Sequence, residues 1–164
     1  MLEDGLAYPI RGDWIGRIVI GGILGLLAVF VIPAVLVVGY LVRVLEETID
    51  GGEVPPEFTD WGGLLSTGAV GTLITLAYTV LPVVVYAVVV GVVSGTGGAL
   101  GGDVGALVGV VGLLLTLAFI PVLFLVYYAV PAALSAYAAR GEWGAAFDLA
   151  LLKPALFSTE YLVA

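Results

Sequence analysis

Charged residues are missing from three long stretches of this chain, residues 18–42, 61–102 and 104–139. A helix needs about 20 apolar residues to cross the ~30 Å hydrocarbon core of a bilayer, so each stretch is long enough to do so. The composition agrees, because 62% of the residues are hydrophobic and 11% are charged, far from the balance of a soluble domain. The sequence therefore predicts an all-α, multi-pass transmembrane helical bundle with three spans, forming one integral membrane domain over residues 1–164.

The predicted spans cover about residues 15–44, 62–93 and 104–128. The second should end near residue 93 because the glycine-rich stretch Ser94–Gly102 cannot sustain a lipid-exposed helix. The third uncharged stretch has 36 residues. As a helix it would reach about 54 Å, so we expect one crossing with a kinked extension to residue 139.

Every predicted span contains proline within its apolar stretch, at Pro33, Pro82, Pro121 and Pro131. Proline lacks an N–H and bends a helix, so we expect a kink in each span. Membrane helices tolerate proline where neighbouring groups satisfy the freed carbonyls, which favours a packing feature over a moving hinge.

One long polar interval, Tyr40–Trp61, separates the first two predicted spans. Gly51-Gly52 should end the preceding helix, since glycine adopts the left-handed cap conformation without a Cβ penalty. Pro55-Pro56 predict an extended segment, and Asp60 stands where an N-cap residue would open a helix at Trp61.

The two ends of the chain carry weaker signals. Residues 1–13 are predicted to lie at the membrane surface, and the acidic start differs from the basic start of a signal peptide. Residues 142–157 are predicted to form an interfacial helical segment. Ser158-Thr159-Glu160 are typical of a helix start, so we expect residues 158–164 to begin a fourth span that is cut off.

Composition also limits the chemistry. The chain has no cysteine and no histidine, which excludes disulfides and thiolate or imidazole metal sites. We expect no catalytic site, cofactor, metal or nucleic-acid partner. A net charge of −8 with a single lysine is typical of a halophile, although acidic loops alone would also explain it. The acids of the polar interval suit a solvated loop better than a cation site, because they lack the spacing of a known loop motif.

All three tryptophans directly follow an acidic residue. An acid at a helix start followed by an interfacial indole suits a membrane boundary, so we interpret five residues as interfacial anchors: Trp14, Trp61, Trp143, Arg43 and Arg140. Similar spacing in Pro33…Tyr40-x-x-Arg43 and Pro131…Tyr137-x-x-Arg140 suggests an internal duplication, a device common in transporters. Selection for tyrosine and arginine at membrane boundaries is the alternative explanation.

Polar side chains fall at helical spacing in the second span, at Thr72, Thr75, Thr79 and Tyr86. This candidate polar face is either a buried helix interface or a substrate path. The interface is favoured because hydroxyls commonly join membrane helices. Gly21-x-x-x-Gly25 and Gly105-x-x-x-Gly109 would also allow helices to approach closely.

Three segments carry a family resemblance: LEDGLAYPIRGDWIGRIVIGG, GYLVRVLEETIDGGEVPPEFTDWGGLL, and AYAARGEWGAAFD followed by FSTEYLVA. They resemble the haloarchaeal membrane proteins grouped as domain of unknown function 4013, above all in the PPEFTDWG block. The resemblance covers essentially the whole chain and implies a multi-pass archaeal membrane protein of unassigned activity. It implies no catalytic residues.

Taken together, these features predict a non-enzymatic structural or accessory component of a membrane assembly in the cell membrane. Its partners would be the lipid bilayer and either a second copy of the chain or other membrane proteins. The alternative is a small-solute transporter or permease subunit. With three crossings, Arg43, Arg140 and Lys153 would lie opposite Arg11 and Arg17, which favours a cytoplasmic Tyr40–Trp61 loop by a narrow margin.

Overall fold

The computed structural model describes residues 7–12 and 14–156, and this part of the chain is helical and contains no strand. The α-helices are α1 (Trp14–Leu26), α2 (Val31–Ile49), α3 (Trp61–Leu100), α4 (Gly102–Arg140) and α5 (Leu149–Leu156). Short 3₁₀ helices cover Tyr8–Ile10, Leu27–Val29 and Trp143–Phe147. The all-α prediction is confirmed for these residues. The predicted helix start at 158–164 and most of the surface segment 1–13 lie outside them.

The first predicted span, residues 15–44, is two helices instead of one. Helix α1 passes into the 3₁₀ turn Leu27–Val29, and Phe30 is extended (φ −91°, ψ 144°) before α2 begins. Pro33 explains the position of the break, because its ring would clash with a helical carbonyl at Val29 and its missing N–H removes a bond. In the first turn of a new helix that N–H has no partner within the helix anyway.

Helices α1 and α2 pack side by side. One straight helix over residues 14–49 would be about 54 Å long, with its two ends far apart. Instead, the Arg17 side chain near the start of α1 donates a hydrogen bond to the Pro55 carbonyl, just beyond the end of α2. Residues 14–49 therefore form an antiparallel pair, the α1–α2 hairpin, with both ends at the proline-containing loop.

The chain divides into two compact units. The first contains residues up to Thr75 and from Pro131 onward, and the second is Leu76–Val130. Fully buried side chains of the first unit include Val42, Leu64 and Ile74. A Cβ on Gly71 would lie 2.9 Å from Val38 Cγ1 and 3.6 Å from Leu134 Cδ2, so α2, α3 and the end of α4 pack together in this unit.

The second unit is a helical hairpin. Tyr86 lies beside Thr116 and Phe119, and Gly97 lies beside Gly105, so this part of α3 runs antiparallel to α4. The turn is made by Gly101 and Gly102, with φ of +61° and +54°. Glycine reaches these angles without the Cβ penalty of other residues.

Helix α3 ends at Leu100, seven residues beyond the expected end at Val93. The glycine-rich stretch stays helical because its small residues allow close packing: a Cβ on Gly105 would lie 2.7 Å from the Gly97 carbonyl oxygen. Helix α4 is continuous to Arg140, which includes the expected extension to residue 139. Both helices continue through their prolines, and the kinks stay a prediction.

Candidate functional site

The most elaborate polar arrangement is built on the proline loop, residues 52–60. The helix before it ends as predicted: α2 stops at Ile49 and Gly51 has φ +83°. The Gly51 amide donates to the Thr48 carbonyl and the Gly52 amide to the Glu47 carbonyl at 2.7 Å. These two bonds form a Schellman cap, which satisfies carbonyls that the end of a helix leaves open.

Side chains from outside the loop satisfy its carbonyls. Pro55 and Pro56 lack N–H groups, so the loop cannot pair its backbone as a strand would. Four donors bind it instead: Arg11 binds the Glu53 oxygen at 3.3 Å, Arg17 that of Pro55, Tyr40 that of Pro56 at 3.3 Å, and Arg43 that of Thr59 at 2.9 Å. The proline loop is therefore held from both helices of the α1–α2 hairpin and from the segment before it.

Arg17 is the most deeply buried of these donors, with 7% of its surface exposed. Its second guanidinium nitrogen donates to the Arg11 carbonyl, so one side chain links the segment before α1 to the loop. A buried cation is tolerated only when its hydrogen-bonding groups have partners. Gly12 leaves room for it, because a Cβ there would lie 3.0 Å from an Arg17 nitrogen.

An aromatic side chain anchors the apolar side of the loop. Phe58 is 8% exposed and stacks on Tyr40 with ring centroids 4.0 Å apart. Its ring edge lies 3.6 Å from the position of a Cβ on Gly21, and it belongs to a buried cluster with Leu24 and Leu64. Phe58 thus fills the open end of the α1–α2 hairpin, while the neighbouring carbonyls take the polar donors.

Asp60 ends the loop and opens α3, as the sequence predicts. Its Oδ1 accepts the Gly63 amide at 3.1 Å, and its Oδ2 lies 3.2 Å from the Arg43 guanidinium. The residue has φ +51°, which is uncommon outside glycine and is best tolerated by aspartate and asparagine. Arg43 therefore joins the end of α2 to the start of α3 through both the Thr59 carbonyl and Asp60.

Glu46 faces the same region from the last turns of α2. Burial raises the pKa of its carboxyl, Arg43 opposes that change, and Asp50 adds to it. Within the described residues no three acidic side chains are grouped closely enough to hold a metal ion. The described side-chain contacts of the proline loop hold its backbone in place.

The candidate polar face is divided between the two units. Thr75 donates to the Gly71 carbonyl of its own helix at 2.9 Å, whereas the buried Thr72 hydroxyl has no hydrogen-bond partner. In the second unit, the Tyr86 hydroxyl bonds Thr116 at 3.0 Å and its ring stacks on Phe119 at 4.2 Å. Thr79 is exposed on α3. Tyr86 thus joins α3 and α4 within the second unit, and the role of the candidate polar face as a whole stays a prediction.

Four of the five predicted anchors stand at the ends of helices, whereas Arg43 lies within α2. Trp14, Trp61 and Trp143 are the first residues of α1, α3 and the 3₁₀ helix Trp143–Phe147. Arg140 is the last residue of α4. Their location at a membrane interface stays a prediction.

Sequence reasoning missed the contact between α2 and α3 at two glycines and most of the loop's donors. Helices α2 and α3 meet at Gly39 and Gly68. In the two predicted glycine pairs, Gly105 packs against Gly97 and Gly21 against Phe58, whereas the Cβ positions of Gly25 and Gly109 face open space. In the sequence, Arg17 is only the last charged residue before the uncharged stretch 18–42. A proline pair indicates that nearby backbone carbonyls need hydrogen-bond donors from elsewhere. The residues that supply these donors become clear only once the α1–α2 hairpin is known.

Similarity to a known family supports the resemblance to a domain of unknown function. The family described as protein of unknown function DUF4013 matches residues 23–164. The chain belongs to the DUF4013 family. The DUF4013 match includes the whole proline loop and both long helices, whereas Arg11 and Arg17 precede it. No curated protein and no solved structure matches the chain.

Proposed function

We propose that this DUF4013 protein is a multi-pass integral protein of the cell membrane. Helices α3 and α4 are each long and apolar enough to cross a bilayer. None of the most apolar 18-residue stretch of α3 is buried, and 6% of that of α4 is. A long apolar helix of a soluble protein would be mostly buried against its own core. This exposure of apolar helix faces is the observation that carries the proposal.

Membrane integration is tested by alkaline carbonate extraction of membranes from cells that express the chain. We expect the protein to stay in the pellet. Leu81→Asp should reduce retention, because this side chain is 68% exposed and an aspartate at the centre of a membrane helix costs about 2.5–3.5 kcal/mol. Leu81→Ala is the matched control and should be retained. Release of the parent chain into the supernatant would contradict the proposal.

Within the membrane, we propose a non-enzymatic structural or accessory role in an assembly with a second copy or with other membrane proteins. The proposal is supported by the partners of the polar side chains: the loop donors bind backbone carbonyls, and Tyr86 binds Thr116. These contacts hold helices and loop together. Cross-linking in native membranes followed by purification should recover the chain in a discrete complex. A monomer in every native preparation would contradict this role.

A small-solute permease subunit is the second candidate, and the buried Thr72 hydroxyl without a partner favours it. Such a group is costly unless something binds it. The chain has no cysteine, so Thr72→Cys and Thr75→Cys can each be tested for modification by a small hydrophilic thiol reagent in membranes. Modification that a solute prevents would support a permease path. Unreactive thiols at both positions would support the packed interface.

We also propose that the protein works in strong salt, as haloarchaeal proteins do. The support is the net charge of −8 with one lysine. Salt screens repulsion among such charges, so its melting temperature in detergent should rise as KCl is increased. A melting temperature that is insensitive to KCl would contradict a halophilic origin.

A further inference from the structure

The turn of the α1–α2 hairpin is apolar and exposed. The tip, Leu26–Ile32, contains six large apolar residues among its seven. Leu26 and Val29 are each 84% exposed, Val31 76% and Phe30 62%. A helix–helix turn in water is normally polar, and contiguous apolar patches of this kind mark contact surfaces.

We propose that the α1–α2 hairpin enters the bilayer tip first and returns to the surface it came from. The segment before Trp14 and the proline loop then lie on the same side of the membrane. This inference rests on the proposed membrane location and adds a topology that hydropathy does not distinguish from a single crossing. The occupant of the exposed apolar tip is the acyl region of the lipid bilayer.

Helix lengths favour return over crossing. The uncharged part of α1, Ile18–Leu26, and that of α2, Val31–Val42, contain 9 and 12 residues. At 1.5 Å per residue they reach about 14 and 18 Å, roughly half of the ~30 Å hydrocarbon core. Arg17 and Arg43 stand at the open ends of these arms, and both bind the proline loop. The hairpin is therefore long enough to insert and too short to emerge on the far side.

The tip would bring few unbonded backbone N–H and C=O groups into lipid. Unsatisfied backbone groups are costly in the hydrocarbon core, so an inserted turn must be short and internally bonded. The Phe30 amide donates to the Leu27 carbonyl at 2.9 Å, and the Ala34 amide donates to the Phe30 carbonyl at 3.1 Å. Pro33 has no N–H to satisfy. A single extended residue, Phe30, is thus enough to reverse the chain.

Charge distribution supports the same topology. With α1–α2 returning and α3 and α4 each crossing once, the five basic residues of the chain all lie on one side: Arg11, Arg17, Arg43, Arg140 and Lys153. The opposite side carries the Gly101–Gly102 turn and Asp103, with no base. The positive-inside rule then places the proline loop in the cytoplasm, with five basic residues on its side of the membrane and none on the other. A crossing first segment reduces that bias to three against two.

Cysteine labelling in intact cells tests the inference, since the chain has no cysteine of its own. Pro9→Cys, Asp50→Cys and Asp103→Cys change exposed residues before α1, at the end of α2 and after the α3–α4 turn. With a membrane-impermeant maleimide we expect labelling at position 103 and none at positions 9 and 50. Permeabilisation should restore labelling at both of the latter.

Labelling of positions 9 and 50 on opposite sides would overturn the returning hairpin. Labelling of both on the outer side would keep the hairpin and overturn its orientation. Phe30→Cys with an attached fluorophore tests insertion: acyl-chain spin labels should quench it, and an aqueous quencher should not. Quenching from water alone would overturn insertion. Carbonate extraction of the same variants separates these results from failure of the membrane proposal, because a chain released from membranes would refute the membrane location itself.

Discussion

Gly39 of α2 and Gly68 of α3 meet backbone to backbone. A Cβ on Gly39 would overlap the Leu64 carbonyl oxygen, and a Cβ on Gly68 would overlap the Val35 carbonyl oxygen. Both glycines are buried, and Leu64 beside them is fully buried. Small residues let two helices approach so closely that their backbones come into van der Waals contact. This crossing therefore brings the backbones of α2 and α3 into direct contact.

The first prediction is that Gly68→Ala destabilises the protein by about 1–3 kcal/mol or more, as overpacking of a filled site does. The obstacle is backbone of α2, which cannot move aside as a flexible side chain would. Thermal unfolding in detergent should show a lower midpoint for Gly68→Ala and for Gly39→Ala.

Gly22→Ala is the control for this experiment. Gly22 is helical in α1, and a Cβ there would meet nothing within 4 Å. Alanine is favoured over glycine within a helix by about 0.5–1 kcal/mol, so this variant should be as stable as the parent or more stable. Equal loss at positions 22 and 68 would show that the close crossing is not the cause.

Local chemistry was predictable from sequence. Gly51 ends α2 and Asp60 opens α3 because a cap depends on a few neighbouring residues. The acidic residue followed by a tryptophan at the start of α1, of α3 and of the 3₁₀ helix Trp143–Phe147 is local in the same way. Such signals are carried by residue type and spacing, so they need no knowledge of distant contacts.

The hairpin and its loop were not predictable, for a physical reason. Residues 18–42 are uncharged and long enough to cross a bilayer, so their hydropathy is the same whether they cross or return. The difference lies in one extended residue, Phe30. The bond from Arg17 to Pro55 joins positions 38 apart and exists only because the chain turns there. The end of α3 was misplaced because glycine weakens an isolated helix, whereas packing against a neighbour offsets that loss.

The second prediction concerns Arg17. Arg17→Met keeps an unbranched apolar stem but removes the donors to the Pro55 and Arg11 carbonyls. Leaving a buried acceptor without a partner costs about 1–3 kcal/mol, and the loop should open more often. A glutamate-specific protease should therefore cut at Glu53 or Glu57 faster than in the parent protein.

Arg140→Met provides the comparison, because Arg140 is exposed at the end of α4. It removes one positive charge as Arg17→Met does, but it leaves the loop contacts intact. Its cleavage rate should match the parent. Faster cleavage in both variants would attribute the effect to net charge, and the proposed role of Arg17 would be wrong.

The third prediction follows from Glu46, which lies beyond Arg43 on the loop side of α2. Burial raises the pKa of this carboxyl in the folded protein. The folded state therefore favours the protonated form, and stability falls as the pH rises from the ordinary glutamate value through the raised one. Glu46→Gln should raise the melting temperature at neutral pH. The gain should shrink toward zero as the pH falls below the ordinary value.

Glu47→Gln is the matched control, since Glu47 is exposed and occupies the same last turn of α2. Both substitutions remove an unfavourable negative charge near a helix C-terminus. A greater rise in melting temperature for Glu46→Gln than for Glu47→Gln would then be due to the burial of Glu46. Melting curves collected across the pH range would contradict this account if the two variants gained equally.

The last prediction concerns the α3–α4 contact at Tyr86. Tyr86→Phe keeps the ring that stacks on Phe119 but removes the hydroxyl bonded to Thr116. Hydrogen bonds between membrane helices contribute about 0.6 kcal/mol on average, so the loss should be small but measurable.

Thr116 also bonds the Gly112 carbonyl of its own helix, so Thr116→Val alone removes two contacts. A double-mutant cycle separates them: with Tyr86 already replaced by phenylalanine, Thr116→Val should cost less than it does in the parent. If Thr116→Val lowers the free energy of unfolding equally in the two backgrounds, the Tyr86 hydroxyl does not join the helices. Hydroxyl groups would then not account for the contact between α3 and α4.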